Sequence, residues 1–178
     1  MKRPLTFLGD PSLISGTYLL HIEVLQDLEV IYGRCRQARP VPTPVGQYLY
    51  IGSAMSEKGP ASLPRRLLRH TTRAVGEPQP IQQQLVAEFR MTPPSAKRLR
   101  WHVDYLLEEM AVTIHHITLI HSHKRQESDI ARIFNEHPVI TLLAPGLGAS
   151  DDPGLTHIVR LHHLTISHLH NLLPIEGT

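Results

Sequence analysis

The feature that most constrains the fold is a strict two-residue alternation over residues 16–25. One face of this segment carries Tyr18, Leu20, Ile22 and Val24, and the other carries Thr17, Leu19, His21 and Glu23. Because successive side chains of a strand point to opposite faces, the pattern predicts a half-buried strand. Residues 28–32 follow after a short turn and predict a second strand that pairs back as a hairpin. A further strand is predicted over residues 48–52, and it ends at Gly52, where the backbone can approach a ligand closely.

The rest of the chain alternates between helical and strand-like patterns. The predicted elements are a helix from Ser62, a helix over 101–110, a strand over 112–120, a helix over 126–136, a strand over 156–161 and a helix over 165–173. Residues 36–44 contain three prolines and predict a loop. Residues 74–96 contain four prolines and a glutamine run, which predict a mobile insertion with a short helix over 81–90. The expected fold class is therefore α/β (α+β), with a small, mostly antiparallel sheet flanked by helices.

Length and composition place these elements in one unit. A chain of 178 residues can bury one sizeable core, so we expect a single domain over residues 1–178 with its core at 13–161. Cys35 is the only cysteine in the sequence, so nothing requires an oxidising compartment, and we expect a cytoplasmic protein. Prolines interrupt the apolar residues near the N-terminus that a signal peptide would need, and no apolar run reaches membrane-spanning length. No membrane partner is expected.

The formal net charge is only +2, but the basic residues are clustered. One cluster within nine positions comprises Arg65, Arg66, Arg69, His70 and Arg73, and a second comprises Lys97, Arg98 and Arg100. Such patches suit phosphate contacts, because each neutralised phosphate releases condensed counterions. They equally suit a solvated helix face, so the clusters alone leave both interpretations open.

A carboxylate lies within the apolar stripe of the helix predicted over residues 126–136. Glu127 comes three residues before Ile130 and seven before Phe134, and so extends their stripe. Favourable alignment with the helix dipole is worth only about 0.3–1 kcal/mol. Coordination of a cation in a cleft is the sharper interpretation, and it makes Glu127 the candidate metal ligand.

Four sequence features occur in a recognisable order, namely a Gly16-Thr17-Tyr18 strand, a Tyr50-Ile51-Gly52 strand, a helix with Arg66 and a helix that opens with Glu127. In this order they resemble the core of the GIY-YIG nuclease superfamily. More narrowly, residues 48–54, 101–107 and 146–151 resemble a poorly characterised prokaryotic subfamily of unknown function, whose members occur alone or fused to repair enzymes. The resemblance extends from about residue 13 to residue 161.

The resemblance implies a metal-dependent endonuclease that hydrolyses phosphodiester bonds in DNA, more than in RNA, during DNA repair or processing. It implies that Tyr18 activates the water nucleophile and that Tyr50 orients water and phosphate. Arg66 would stabilise the additional negative charge, and Glu127 would hold the metal, Mg²⁺ or Mn²⁺. A fixed guanidinium and a hard cation suit this reaction because charge develops on the phosphate oxygens.

The chain departs from that family in three places. Thr17 replaces the usual isoleucine, Ser53 stands where some members carry a lysine, and many more residues than usual separate the two tyrosine strings. Without the lysine, Tyr18 needs another activating group, for which His70 and His102 are the candidates. Since a tyrosine has a reference pKa of about 10, its use as a base requires nearby positive charge to lower that pKa. The further substrate-binding candidates are Gly52, Ser53, Arg69, His102 and Ser150.

Two other functions remain open. The first is a nucleic-acid-binding module of the same fold that does not cut, which a test for DNA nicks with Mg²⁺ or Mn²⁺ separates from the enzyme. The second is a zinc protein, because the chain has 13 histidines, including His115, His116, His121, His123, His162 and His163. Adjacent histidines on a strand point to opposite faces, and the sequence has no Cys/His spacing of a zinc site. The preferred interpretation is therefore that the histidines either have hydrogen-bond partners within the fold or lie on the surface.

Residues 145–152 form a glycine-rich segment. They lack the Gly-Lys-Ser/Thr of a phosphate-binding loop and predict a tight turn near the substrate.

Overall fold

A computed structural model describes residues 3–148 and 154–174, apart from the side chain of Arg36. The strands are β1 (Leu5–Gly9), β2 (Gly16–Val24), β3 (Leu28–Val30), β4 (Val41–Thr43), β5 (Gly46–Ala54), β6 (Val112–His121), β7 (Ile140–Leu142) and β8 (Ile158–Leu161). The helices are α1 (Leu63–Thr71), α2 (Gln82–Phe89), α3 (His102–Glu108), α4 (Glu127–Asn135) and α5 (Ile166–Asn171). Six strands form one sheet in the order β1-β6-β2-β5-β8-β7, in which β1 and β6 are parallel and the other neighbours antiparallel. The predicted fold class is confirmed.

Strand β2 lies inside the sheet between β6 and β5, and both of its faces are buried. The face with Tyr18 and Leu20 packs into a core that includes Leu67 of α1 and Leu106 of α3. The face with Leu19 packs into a second core, which includes Ile130 and Phe134 of α4 and Leu169 of α5. The predicted alternation is correct, but the prediction of a half-buried strand is wrong, because α4 and α5 cover the second face.

The predicted hairpin between residues 16–25 and 28–32 does not form. Strand β3 instead pairs with β4 in a separate two-stranded sheet, in which Glu29 lies opposite Pro42. Residues 41–43 were expected to belong to a loop because of their prolines. A two-stranded ribbon consists of edge strands, where a proline is tolerated because a missing N–H donor costs little. The partners that β2 takes are β5 and β6, which follow much later in the chain.

Strands β1 and β7 were not predicted from the sequence. Both lie at the edges of the sheet, and β7 has only three residues. Their residues are mostly half-buried or exposed, so their side chains show no clear alternation of apolar and polar character. Edge strands with few buried positions leave a weak periodic signal.

The segment over residues 74–96 packs against the rest of the domain through its middle part. Helix α2 contacts α1 and buries Leu85, and Gln79 is almost fully buried. The Gln79 amide donates to the carbonyl oxygens of Leu107 and Val112 and accepts from the backbone N–H of Ile114 at 3.0 Å. The mobility of this segment stays a prediction. Across the described residues, every helix is too short or too polar to traverse a lipid bilayer.

Candidate functional site

The register between β2 and β5 puts the two tyrosine strings side by side. Tyr18 lies directly opposite Gly52, and a Cβ atom built on Gly52 would come within 2.5 Å of the Tyr18 ring and hydroxyl. A side chain at position 52 is therefore incompatible with this position of the Tyr18 ring. The glycine predicted to approach a ligand has a packing reason in the structure, because it makes room for Tyr18.

The Tyr18 hydroxyl begins a buried chain of hydrogen bonds that links three elements. It lies 2.8 Å from Nε2 of His70 on α1, and Nδ1 of His70 lies 3.2 Å from Oδ1 of Asp104 on α3. The side chains of His70 and Asp104 are fully buried. An ionised carboxylate only accepts hydrogen bonds, so Nδ1 of His70 carries a proton and donates a hydrogen bond to Asp104. In neutral His70, Nε2 then accepts the hydrogen bond from Tyr18.

Electrostatics support this arrangement of protons. Burial lowers the pKa of His70 to about 4, against the opposing effect of Asp104, so His70 is neutral near pH 7. Burial alone would raise the pKa of Asp104, but the hydrogen bonds from His70 and Arg69, together with the charge of Lys97, hold that pKa well below its usual range. Asp104 also accepts from the backbone N–H groups of residues 100 and 101 at the start of α3, at 2.9 Å each. The pair therefore consists of an ionised Asp104 and a neutral His70.

The expectation that Tyr18 has a lowered pKa is wrong for this structure. Tyr18 has no exposed surface, and burial raises its pKa well above the usual range, although the charge of Arg66 opposes the shift. A buried phenol surrounded by apolar side chains stays protonated near pH 7. The acceptor nitrogen that faces the Tyr18 hydroxyl belongs to His70, one of the two candidate activating residues, and its role in activation stays a prediction.

A cleft of about 650 Å³ opens in front of these buried groups. It is lined by Tyr50, Ser53, Arg66, Arg100, Trp101, Arg125, Glu127, Ser128, Gly148 and His157, among others. Tyr50 forms part of its wall and lies beside Tyr18, with ring centroids 6.1 Å apart. Burial also raises the pKa of Tyr50 well above its usual value. Of the two predicted tyrosines, Tyr50 is the one that reaches the cleft, and Tyr18 lies behind it.

Glu127 is the carboxylate of this cleft. It is the first residue of α4, its Oε2 accepts a hydrogen bond from Ser53, and its Oε1 lies 3.0 Å from Nδ1 of His157. Burial would raise the pKa of Glu127, but the close contact with His157 and the hydrogen bond from Ser53 outweigh it, and the net pKa is lower than usual. Glu127 is therefore ionised near pH 7. Thr17, one of the departures from the resembled family, accepts from the backbone N–H of Gln126 at 3.1 Å and so helps to fix the start of α4.

Arg66 brings positive charge to the same cleft. Its guanidinium carbon lies 4.1 Å from the centroid of the Trp101 ring, a cation–π contact. Its Nε is buried and makes no hydrogen bond within residues 3–148 and 154–174, and the ion pairs in that part of the chain do not include it. A guanidinium with an unsatisfied buried donor next to a cleft is ready to bind an anion there.

The neighbouring basic residues are engaged elsewhere. Arg69 also stacks on Trp101, but it makes hydrogen bonds of 3.1 and 2.8 Å with both carboxylate oxygens of Asp104. Lys97 is fully buried beside Glu108, with Nζ 3.0 Å from Oε1. Arg73 is buried and donates to three backbone carbonyl groups. Arg69, Arg73 and Lys97 therefore have partners within the domain, which favours a structural interpretation of their charges, and a phosphate contact of Arg69 stays a prediction.

The remaining predicted positions have distinct places. Nδ1 of His102 accepts a hydrogen bond of 2.8 Å from the backbone N–H of Gly148, so His102 holds the glycine-rich segment beside the cleft and is not the partner of Tyr18. Ser150 lies outside the described residues. Sequence reasoning missed Asp104 and His157 as members of the site. Asp104 could have been noticed as an acidic residue at the third position of α3, whereas no pattern in the sequence marks His157.

Together, the fold and the cleft define an α+β domain in which one cavity, above a buried Tyr–His–Asp chain, is lined by an ionised carboxylate and by a guanidinium that has no ion-pair partner among the described residues. The sequence profile of the family described as "Domain of unknown function DUF123" matches residues 17–174, so the chain belongs to that family. The assignment to the GIY-YIG superfamily is wrong, because the family that matches is DUF123. No curated protein matches the chain, and no solved structure does.

Proposed function

We propose that this protein hydrolyses phosphodiester bonds of DNA as a metal-dependent endonuclease. The observation that carries the proposal is the meeting of Glu127, Arg66 and Tyr50 in one cleft, with the Tyr18–His70–Asp104 chain directly behind it. Acid, base and cationic groups arranged in a single cavity are typical of a hydrolytic site.

The donor set fits a small hard cation. Glu127 presents an ionised carboxylate, and the Ser53 hydroxyl beside it is a second oxygen donor. Mg²⁺ and Mn²⁺ prefer oxygen ligands, and Mg²⁺ keeps several waters, so one carboxylate suffices when a substrate phosphate completes the coordination. When bound, such an ion polarises a phosphate oxygen as a Lewis acid.

Arg66 and the tyrosines supply the remaining functions. The guanidinium of Arg66 stabilises the negative charge that develops on the non-bridging phosphate oxygens. Tyr50 contacts the water or the phosphate from the cleft wall. In the cleavage step Tyr18 would take a proton from the attacking water through Tyr50 while passing its own proton to Nε2 of His70, whose positive form Asp104 stabilises.

The expected partner is DNA, more than RNA, and the expected setting is DNA repair or processing in the cytoplasm. The cleft carries three arginines at its wall, Arg66, Arg100 and Arg125, which suit contacts to a phosphate backbone. Cys35 has no cysteine partner in the sequence, in keeping with a reducing compartment.

One observation favours a second candidate function, a nucleic-acid-binding module that does not cut. Tyr18 is fully buried with a raised pKa, so it reaches a nucleophilic water only through Tyr50 or through a movement of the cleft wall. In that case the cleft binds the phosphate backbone and the buried chain is purely structural.

A cleavage screen separates the two candidates. Purified protein is incubated with supercoiled plasmid, single-stranded DNA, flap DNA and RNA, in Mg²⁺, in Mn²⁺ and in EDTA. The nuclease proposal expects metal-dependent nicking of at least one DNA substrate, and loss of nicking in an Arg66→Ala variant. Tight DNA binding with no cleavage in either metal supports the binding module and overturns the nuclease.

A further inference from the structure

Three histidines from three separate elements meet on the face of the sheet that α4 and α5 cover. His21 lies on β2, His116 on β6 and His170 on α5. The His21 ring centroid is 5.0 Å from that of His116 and 6.5 Å from that of His170, and the last two are 6.4 Å apart. One nitrogen of each ring lies within 4.8 Å of the others. Nothing in the proposed catalytic cleft uses these side chains.

A β-bulge in β6 produces this arrangement. His21 pairs with His116, whereas the next residue, Ile22, pairs with Ile114, so His115 is an extra residue in the ladder. As a result the rings of both adjacent histidines approach His21, with centroids 6.2 Å away for His115 and 5.0 Å away for His116. The expectation that adjacent strand histidines separate to opposite faces does not hold at this bulge.

Neutral side chains hold the three rings in place. The Thr118 hydroxyl lies 3.0 Å from Nε2 of His21 and 2.9 Å from Nε2 of His170, and the Thr6 hydroxyl lies 3.1 Å from Nε2 of His116. His21 and His116 are buried, and burial disfavours the charged form of an imidazole. Neutral imidazole is the form that binds metal ions.

We propose that His21, His116 and His170 form a binding site for a transition-metal ion of the Zn²⁺ class. Three imidazoles and one water make the tetrahedral set that Zn²⁺ accepts, whereas Mg²⁺ prefers oxygen ligands. Zn–N bonds of about 2.0–2.1 Å place tetrahedral nitrogens about 3.4 Å apart, so nitrogens that now lie within 4.8 Å of one another would have to approach by at most about 1.4 Å.

The position of the ligands gives the site a structural consequence. Two ligands lie on adjacent central strands, and the third lies on α5, a helix of only six residues. A bound ion would therefore link α5 to the sheet. An ion that binds only to the folded state also raises the melting temperature, and the increase grows with the logarithm of the ion concentration.

The test uses the full chain, freed of metal with EDTA and dialysed. Titration with Co²⁺ is expected to give the visible absorption of four-coordinate cobalt, saturating at one equivalent and displaced by Zn²⁺. His116→Gln and His170→Gln should each weaken Co²⁺ binding by at least about 100-fold, more than changes outside the ligand set typically cost. The melting temperature should rise with Zn²⁺ in the wild type and stay constant in both variants.

His168→Gln is the matched control, because His168 lies on the same helix α5 but outside the cluster. It should bind Co²⁺ as the wild type does. If His116→Gln does not fold, His170→Gln decides alone, since His170 is only half-buried. A wild type without the four-coordinate cobalt spectrum, or a His170→Gln variant that binds Co²⁺ like the wild type, overturns the proposal.

Discussion

Replacing Tyr18 by phenylalanine tests the buried hydrogen-bond chain most specifically. The substitution keeps the ring, which Gly52 accommodates, and removes only the hydroxyl that lies 2.8 Å from Nε2 of His70. The ring therefore keeps its packing, but a buried acceptor nitrogen on His70 is left without its donor. An unsatisfied buried polar group costs about 1–3 kcal/mol, so the free energy of unfolding should fall by that amount.

The effect on cleavage should be much larger than the effect on stability. A positioned acid–base group contributes roughly 10²–10⁴-fold to a rate, so nicking by Tyr18→Phe should fall by a factor in that range. Nicking is measured on plasmid with Mg²⁺ at a temperature where both proteins are folded, and unfolding is measured with urea.

Tyr32→Phe is the matched control for this measurement. Tyr32 is equally buried, and its hydroxyl lies 3.2 Å from that of Thr43 in the two-stranded sheet, where it does not line the cleft. It should lose a similar amount of stability and keep its cleavage rate. Normal cleavage by Tyr18→Phe, or an equal loss of cleavage in both variants, would refute the role given to the Tyr18–His70 hydrogen bond.

Three further predictions follow from the same geometry. Arg66→Ala should slow cleavage about 10²–10³-fold, because it removes a fixed donor to the transition state. The control Arg65→Ala, at an exposed position of the same helix, should change the rate by only a few-fold. Equal effects of the two variants would show that Arg66 contributes only nonspecific positive charge. Because the pKa of His70 is about 4 in the folded state and about 6.5 when unfolded, the unfolded state binds more protons between those values and stability falls as pH falls. Between pH 7 and pH 5, the free energy of unfolding measured with urea should therefore fall by about 2 kcal/mol more in the wild type than in His70→Gln. Equal decreases in the two proteins would contradict a buried neutral histidine at position 70. Gly52→Ala should destabilise the fold by about 1–3 kcal/mol or more, because its Cβ would overlap the Tyr18 ring; an unchanged melting temperature would contradict that contact.

The parts of the fold that sequence reasoning predicted are those with buried periodic patterns. The alternation in β2 and the apolar stripe of α4 indicate directly which side chains face a core. Both elements lie close to their predicted bounds. The partner of β3 was missed because the prolines near residues 41–43 predicted a loop, and the partners of β2 were missed because that pairing joins distant segments. The short edge strands β1 and β7 bury too few side chains to leave a pattern.

The candidate site residues came from two sources: the family resemblance pointed to Tyr18, Tyr50 and Arg66, and a break in a local pattern pointed to Glu127. Glu127 was noticed because a carboxylate extends an apolar stripe, and the structure places it in the cleft. Asp104 contacts His70, which lies 34 positions away in the chain, and His157 contacts Glu127, which lies 30 positions away. Local residue spacing cannot predict contacts over such separations. The three-histidine cluster was hidden for a related reason, because the bulge in β6 overrides the two-residue alternation on which the sequence argument relied.

Metal-dependent cleavage by a Glu127→Gln variant is the most direct measurement of the central claim. The amide keeps the shape of the side chain and its contact with Ser53 but removes the negative charge that would hold a divalent cation. Asp129→Asn is the control, since Asp129 lies on the same helix and its exposed carboxylate pairs only with surface residues in the described part of the chain. The account predicts that wild type and Asp129→Asn nick plasmid DNA in Mg²⁺ or Mn²⁺, and that Glu127→Gln binds DNA and melts near the wild-type temperature but does not nick. Nicking by Glu127→Gln at the wild-type rate, or no nicking by the wild type on any substrate, would contradict it.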